Sequence, residues 1–263
     1  MLTPHDLDRL LGETCVRCVE FHRVIASTND RALEFALKER LETPLLIAAA
    51  ELTAGRGRGR NRWWARAGAL TFSLVLEPEA QGIARHKWPR ISLVAGLSVG
   101  EAVQQMLPGV PCGLKWPNDV WLGGRKVCGI LVEVPPHRPP RPARLVLGIG
   151  LNVNNSLADA PEEIQTRATS LVDQAGGMFA IGDVLRGILG RLAQNLEALA
   201  ADDPGLVETW QAHCVLRGRV VEVTQGEHPL RGLCAGIDSE GALLIETAHG
   251  RERLFGGVVT SIA

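Results

Sequence analysis

Gly55-Arg56-Gly57-Arg58-Gly59-Arg60-Asn61-Arg62-Trp63-Trp64 packs four arginines and three glycines into ten residues. No regular element suits that composition: glycine costs about 1 kcal/mol per residue in a helix and weakens a strand interior. The stretch therefore predicts a cationic loop. Apolar runs flank it, Leu45-Leu46-Ile47-Ala48-Ala49-Ala50 before and Leu70-Thr71-Phe72-Ser73-Leu74-Val75-Leu76 after, and both predict buried strands. Glycines let backbone N–H groups approach a ligand, and arginines fork onto phosphates and carboxylates. A cationic loop pinned between core strands points to a lid over an anionic ligand; a merely solvated charged loop is the alternative. A disordered Gly–Arg nucleic-acid tail fits poorly, because such tails lie in low-complexity sequence.

The chain of 263 residues carries a formal net charge of -1, so the positive charge of the loop is local. A general nucleic-acid binder would present a basic face, and no nucleic-acid partner is expected. Hydrophobic residues make up 46%, ample for a core of one large domain, or of one plus a small one. Thr3, Pro4, His5, Asp6 and Asp8 interrupt any apolar leader. No apolar run is long enough to span a bilayer, so no membrane partner is expected. The six cysteines are scattered. Cys15 and Cys18 fall in an expected strand, where ordinary packing is favoured over a zinc or redox site. A reducing cytoplasm is the expected compartment.

Working outward, residues 1–12 predict a short helix with Thr3 as N-cap and Gly12 as stop, and a strand follows near Val16 to Arg23. Ser27-Thr28-Asn29-Asp30 precedes a helical pattern; these are N-cap residue types, and a helix N-terminus also offers N–H groups to an acceptor. A helix from about Trp88 to Met106 is apolar on more than one face and so predicted central.

The densest polar cluster is Leu114-Lys115-Trp116-Pro117-Asn118-Asp119-Val120-Trp121-Leu122, followed by Gly123-Gly124-Arg125 and Lys126 to Glu133. The order strand, turn, strand, turn, strand predicts an antiparallel meander that brings Lys115, Asn118, Asp119 and Lys126 near one another. Asn and Asp offer hard oxygens for Mg2+ and the lysines offer charge for phosphates; ordinary turn chemistry explains the same residues equally well. Five prolines between residues 135 and 142 predict a stiff loop. Arg144 to Asn154 predicts a buried strand carrying Asn152, whose amide needs a partner, from backbone or ligand. Ile181 to Ala200 is an amphipathic helix. From Gly218 four short strands separated by glycine-rich turns predict a small all-β barrel.

Taken together these motifs resemble the biotin protein ligase family. Ser27-Thr28-Asn29, Thr53 to Arg58, Lys115 to Asp119, Gly124-Arg125-Lys126 running into Gly129 to Glu133, and Gly148 to Asn154 occur in the family's order. The resemblance implies an α+β fold: a class II synthetase-like catalytic domain with a mixed or antiparallel sheet and helices over residues 1–215, and an SH3-like β-barrel over 216–263. It implies an ATP-dependent ligase that makes biotinyl-5′-adenylate from biotin and MgATP. The biotin would then pass to a lysine of a biotin carboxyl carrier domain of a carboxylase.

By the same resemblance, Lys126, Arg58 and Asp119 are the catalytic candidates. Biotin would be met by Ser27, Thr28, Asn29, Arg56, Gly57, Arg58, Lys126 and the Gly129-Ile130-Leu131 backbone. ATP and the adenylate would be met by Gly55, Arg56, Arg58, Trp63, Lys115, Asn118, Lys126 and Asn152. Mg2+ would lie at Asp119 and Asn152. No N-terminal DNA-binding domain is expected, a homodimer is left open, and Leu52 stands where many members have glutamine.

Overall fold

The computed structural model describes residues 1–64, 66–158, 160–226 and 228–262. The chain opens with α1 (Pro4–Glu13), where Thr3 and Asp6 form a reciprocal capping box. Gly12 does not stop this helix, which runs one residue past it. Strand β1 (Cys18–Ile25) starts later than predicted and leaves Cys15 outside it. Ser27 caps α2 (Thr28–Ala36), its hydroxyl accepting from Asp30 N. Next come β2 (Leu45–Leu52) and β3 (Leu70–Leu76), then a 3-10 turn over Arg85–Arg90 and α3 (Ile91–Met106). The predicted meander follows as β4 (Cys112–Lys115), β5 (Asp119–Leu122) and β6 (Arg125–Glu133), and β7 (Leu145–Leu151) completes the sheet.

These seven strands form one sheet in the order β1-β2-β3-β7-β6-β5-β4, parallel between β1 and β2 and antiparallel elsewhere. Alternate side chains face opposite ways. On β2, β3 and β7, Leu45, Ile47, Val75 and Val146 pack under α2 with Ala32 and Ala36. Leu46, Leu74, Leu145 and Leu147 join the larger core on the other face. Covered on both sides, β3 is buried at all seven positions.

Short helices α4 (Glu162–Gln165) and α5 (Leu171–Ala175) lead to α6 (Ile181–Ala200), which packs against α3, and then to α7 (Gly205–Ala212). The last strands are β8 (Val220–Gln225), β9 (His228–Ile237), β10 (Leu243–Thr247), β11 (Gly250–Leu254) and β12 (Val258–Ile262). They form a second, antiparallel sheet ordered β11-β10-β9-β8-β12. The predicted strand Leu254 to Ile262 thus shortens to β12, with Leu254 ending the unpredicted β11 and a turn between the two. Val223, Cys234 and Ile237 of this sheet share a core with Leu114 and Trp116, and Trp116 Nε1 donates to Gly241 O at 3.2 Å. Among the described residues no helix is long and apolar enough to cross a membrane.

Candidate active site

The α2 N-terminus, the Gly–Arg stretch, the meander and the start of β12 converge on one cavity of about 160 Å3. Thr28 and Asn29 give it a polar floor. Behind them Ser73 Oγ, buried on β3, lies 2.6 Å from Asn29 Oδ1 and 2.8 Å from Thr28 Oγ1. Having one proton, it donates to the amide and accepts from the threonine. Gly148 on β7 lies directly under Asn29: a Cβ there would sit 1.9 Å from Asn29 Oδ1. Asn29 Nδ2 donates to Glu133 Oε2 at 2.8 Å. Ser27, Thr28, Gly129, Ile130 and Leu131 all line the cavity. Leu52 lines it as well, so this apolar side chain faces the ligand space.

The Gly–Arg stretch is more ordered than a bare loop. Residues 56 and 62 bridge as in a hairpin, with Gly57 N donating to Asn61 O at 2.8 Å and Trp63 N to Gly55 O at 2.9 Å. Gly59 turns the tip at φ +62, a region that favours glycine. The hairpin lays Trp63 flat on the sheet, so close that a Cβ on Gly150 would meet its ring at 2.5 Å. Trp63 Nε1 is buried with no hydrogen-bond partner among the described residues. A buried unpaired N–H is unfavourable, and a ligand acceptor or a shift of the hairpin would relieve it.

The two arginines have different surroundings. Arg56 is paired with the carboxylates of Glu133 and Asp30. Arg58 Nη1 donates to the carbonyl of Gly257, 3.1 Å away on the C-terminal segment. Lys115 reaches Val259 O at 3.5 Å, so the end of the chain closes one wall.

Lys126 Nζ lies 2.6 Å from Asp119 Oδ1 and 5.9 Å from the centre of the Trp63 ring. A bulge between Val120 and Trp121 sets this register: Trp121 faces Lys126 while Val120 faces Cys128. Burial holds the Lys115 ammonium below the usual lysine range; Asp119 opposes that shift and Lys126 adds to it. Asn118 braces β6, donating from Nδ2 to Ile130 O at 2.6 Å.

Of the predicted residues, two lie outside the cavity wall. Gly55 stands behind Leu52, where a Cβ would strike Trp63 O at 2.6 Å; its role is to let the hairpin close. Asn152, 4% exposed, follows β7, and its amide is engaged by Thr169 O and Asn155 Nδ2 at 3.0 and 2.9 Å. Those bonds use one of its two N–H donors and one of its two acceptor sites, so protein partners orient the amide. Among the described residues no cluster of three His, Cys, Asp or Glu could hold a metal. Among the described residues Asp119 alone offers a carboxylate in this cavity wall, which suits an ion brought in on phosphates and keeping several waters.

Sequence reasoning assigned no role to Ser73, Glu133 or the 257–259 backbone. The one signal for Ser73 was a hydroxyl interrupting an apolar strand.

Fold and cavity define a class: an α+β ligand-binding domain whose cationic hairpin covers a glycine row on the sheet. The profile of the Biotin/lipoate A/B protein ligase family matches residues 21–154, and that of the Biotin protein ligase C terminal domain matches 218–259. The chain is 32% identical over 240 residues to the biotin–[acetyl-CoA-carboxylase] ligase of Paracoccus denitrificans, covering 86% of this chain and 93% of that protein. It is 30% identical over 237 residues to the bifunctional ligase/repressor BirA of Bacillus subtilis (strain 168), covering 89% of this chain and 71% of that one. The biotin protein ligase from Aquifex aeolicus, solved in complex with biotin and ATP, superposes with a TM-score of 0.80 at 29% identity, over 94% of this chain and 99% of that one. The chain belongs to the Biotin/lipoate A/B protein ligase family, and its C-terminal match places it with the biotin protein ligases.

Proposed function

We propose that this protein is an ATP-dependent biotin ligase: it joins biotin to AMP and passes the biotinyl group to a lysine of a carboxyl carrier domain. The observation that carries the reading is the Lys126–Asp119 pair, which lines the same cavity as Thr28, Asn29 and the Trp63 hairpin. In the first step a biotin carboxylate oxygen attacks the α-phosphorus of ATP and pyrophosphate leaves. Two anions meet, so the approach needs positive charge aimed at the reacting oxygens. Lys126 is suited to both the carboxylate and the α-phosphate, and Arg58 is free to turn from a backbone carbonyl to a phosphate. Trp63 shields the mixed anhydride from water.

In the second step the acceptor amine attacks the biotinyl carbon and AMP leaves. The amine must shed a proton, and the reading assigns that proton to the Asp119 carboxylate. Mg2+ travelling with ATP would neutralise phosphate charge, with Asp119 as its protein oxygen. Ser27, Thr28 and the Gly129-Ile130-Leu131 backbone would meet the biotin head and chain. We take residues 1–215 as the catalytic domain and 216–263 as the SH3-like one, acting in the cytoplasm where ATP is supplied. The test is transfer: with biotin, MgATP and a carrier domain, one carrier lysine gains a biotinyl group by mass spectrometry. A carrier left unmodified while biotin and ATP are in excess contradicts the reading.

A further inference from the structure

Arg56 does not face the cavity as a free cation. Its Nη1 donates to Glu133 Oε1 at 2.9 Å and its Nη2 to Glu133 Oε2 at 2.7 Å, while Asp30 Oδ1 lies 2.7 Å from the same Nη2. The three groups come from three places: the hairpin, the end of β6 and the first turn of α2. Glu133 Oε2 also accepts from Asn29 Nδ2, and Asn29 Oδ1 accepts from the Ser73 hydroxyl. One line of hydrogen bonds therefore runs from the cavity floor through Asn29 and Glu133 into the hairpin. The hairpin's other side-chain tie, Arg58 to a backbone carbonyl, is a single bond.

An isolated exposed ion pair contributes little. This one is bidentate, is joined by a second carboxylate, and is backed by an amide only 5% exposed. Removing the Glu133 charge would leave Arg56 with Asp30 alone. It would leave Asn29 Nδ2 with Leu131 O, a long contact at 3.4 Å.

We infer that Glu133 is a positioning residue: its carboxylate clamps Arg56 and so sets the hairpin over the cavity, leaving Arg58 as the arginine that meets the anionic intermediate. The inference rests on the ligase reading above and refines it, dividing two arginines that look equivalent in sequence. It makes hairpin closure a property of the protein before any ligand binds.

The test uses Glu133→Gln, Arg56→Gln and the double variant of the full chain. In the ligand-free protein, opening of the hairpin should speed tryptic cleavage after Arg58, which is half-buried where Arg60 and Arg62 are exposed. Both single variants should raise that cleavage about tenfold, the expected loss of a charge-assisted bond, and the double variant should add nothing further. Glu133→Asp, which keeps the charge on a shorter stem, should fall between wild type and Glu133→Gln. In the biotin-dependent exchange of pyrophosphate into ATP, the KM for biotin should rise with the cleavage rate, and by more than the saturating rate falls. Melting midpoints separate this from global unfolding, and if Glu133→Gln does not fold, Arg56→Gln carries the test from the solvent side. Unchanged cleavage in a folded single variant, or effects that multiply in the double, would overturn the clamp. The proteolysis arm needs no substrate, so it decides the clamp even if the wild type shows no exchange, a result that would count against the ligase reading instead.

Discussion

Lys126 Nζ sits 2.6 Å from Asp119 Oδ1, across the adjoining strands β6 and β5. The contact holds a cation and a carboxylate in the cavity wall, with the cation 5.9 Å from the centre of the Trp63 ring. Each step of the proposed chemistry uses one member of the pair. The cation serves the meeting of two anions, and the carboxylate serves the amine that must lose a proton.

Lys126→Ala should lower adenylate formation by about 100-fold or more, as loss of a group that stabilises developing charge does. It also leaves the Asp119 carboxylate unpaired beside incoming anions. Lys126→Arg should not restore the rate, because a forked guanidinium is no substitute for a point charge. Exchange of pyrophosphate into ATP measures both, and a near-normal rate in Lys126→Ala would remove the residue from the chemistry.

Arg58→Gly should let the adenylate escape. One charge-assisted hydrogen bond is worth about 1.5–3 kcal/mol, so release should speed up roughly tenfold to a hundredfold. Escaped adenylate acylates lysines indiscriminately, and albumin added to the reaction should become biotinylated. Labelling no greater than with the wild type would mean that Arg58 stays on Gly257 throughout.

Leu52 lines the cavity and can neither donate nor accept. Leu52→Gln should tighten biotin binding by about twofold to tenfold, the worth of one neutral hydrogen bond. Calorimetry reads the change. Unchanged or weaker binding would show that a neighbour such as Ser27 already satisfies the biotin head.

Lys115 supplies a pH signature. Burial, the largest influence, holds its ammonium below 10.5, so in alkaline buffer a share of it is neutral. An arriving polyphosphate favours the charged form. Binding of ATP or pyrophosphate should therefore take up protons at alkaline pH, and the uptake should vanish as pH falls and Lys115 is already charged. Calorimetry in two buffers of different ionisation enthalpy detects it, and Lys115→Met should abolish the difference. Proton release, or none at any pH, would contradict the assignment.

Much of this architecture was legible in the chain. β3 and α6 have the bounds that apolar runs and periodicity predict, because both are elements whose pattern the core dictates. β1 slipped by two residues because it is a half-exposed edge strand, with no fully buried position to mark its start. β11 was missed because Arg251-Glu252-Arg253 is exposed on both faces, an edge strand blunted with charge. Within the site, Lys115, Asp119 and Lys126 were legible because two tight turns bring them together. Glu133 and the 257–259 backbone were not: they meet Arg56 and Arg58 from 77 and 199 residues away, and no local pattern encodes such contacts. The partners of Asn152 were not legible either, since a buried amide in an apolar run signals the need for a partner without saying which.

The proposed chemistry requires this cavity to activate the carboxylate of biotin with ATP. The most direct measurement is the incorporation of labelled pyrophosphate into ATP with Mg2+ present and biotin, lipoate or octanoate supplied in turn. The account predicts exchange that depends on biotin, saturates with it, and is lost in Lys126→Ala. Exchange supported equally by lipoate or octanoate, or absent with biotin from the folded protein, would contradict it.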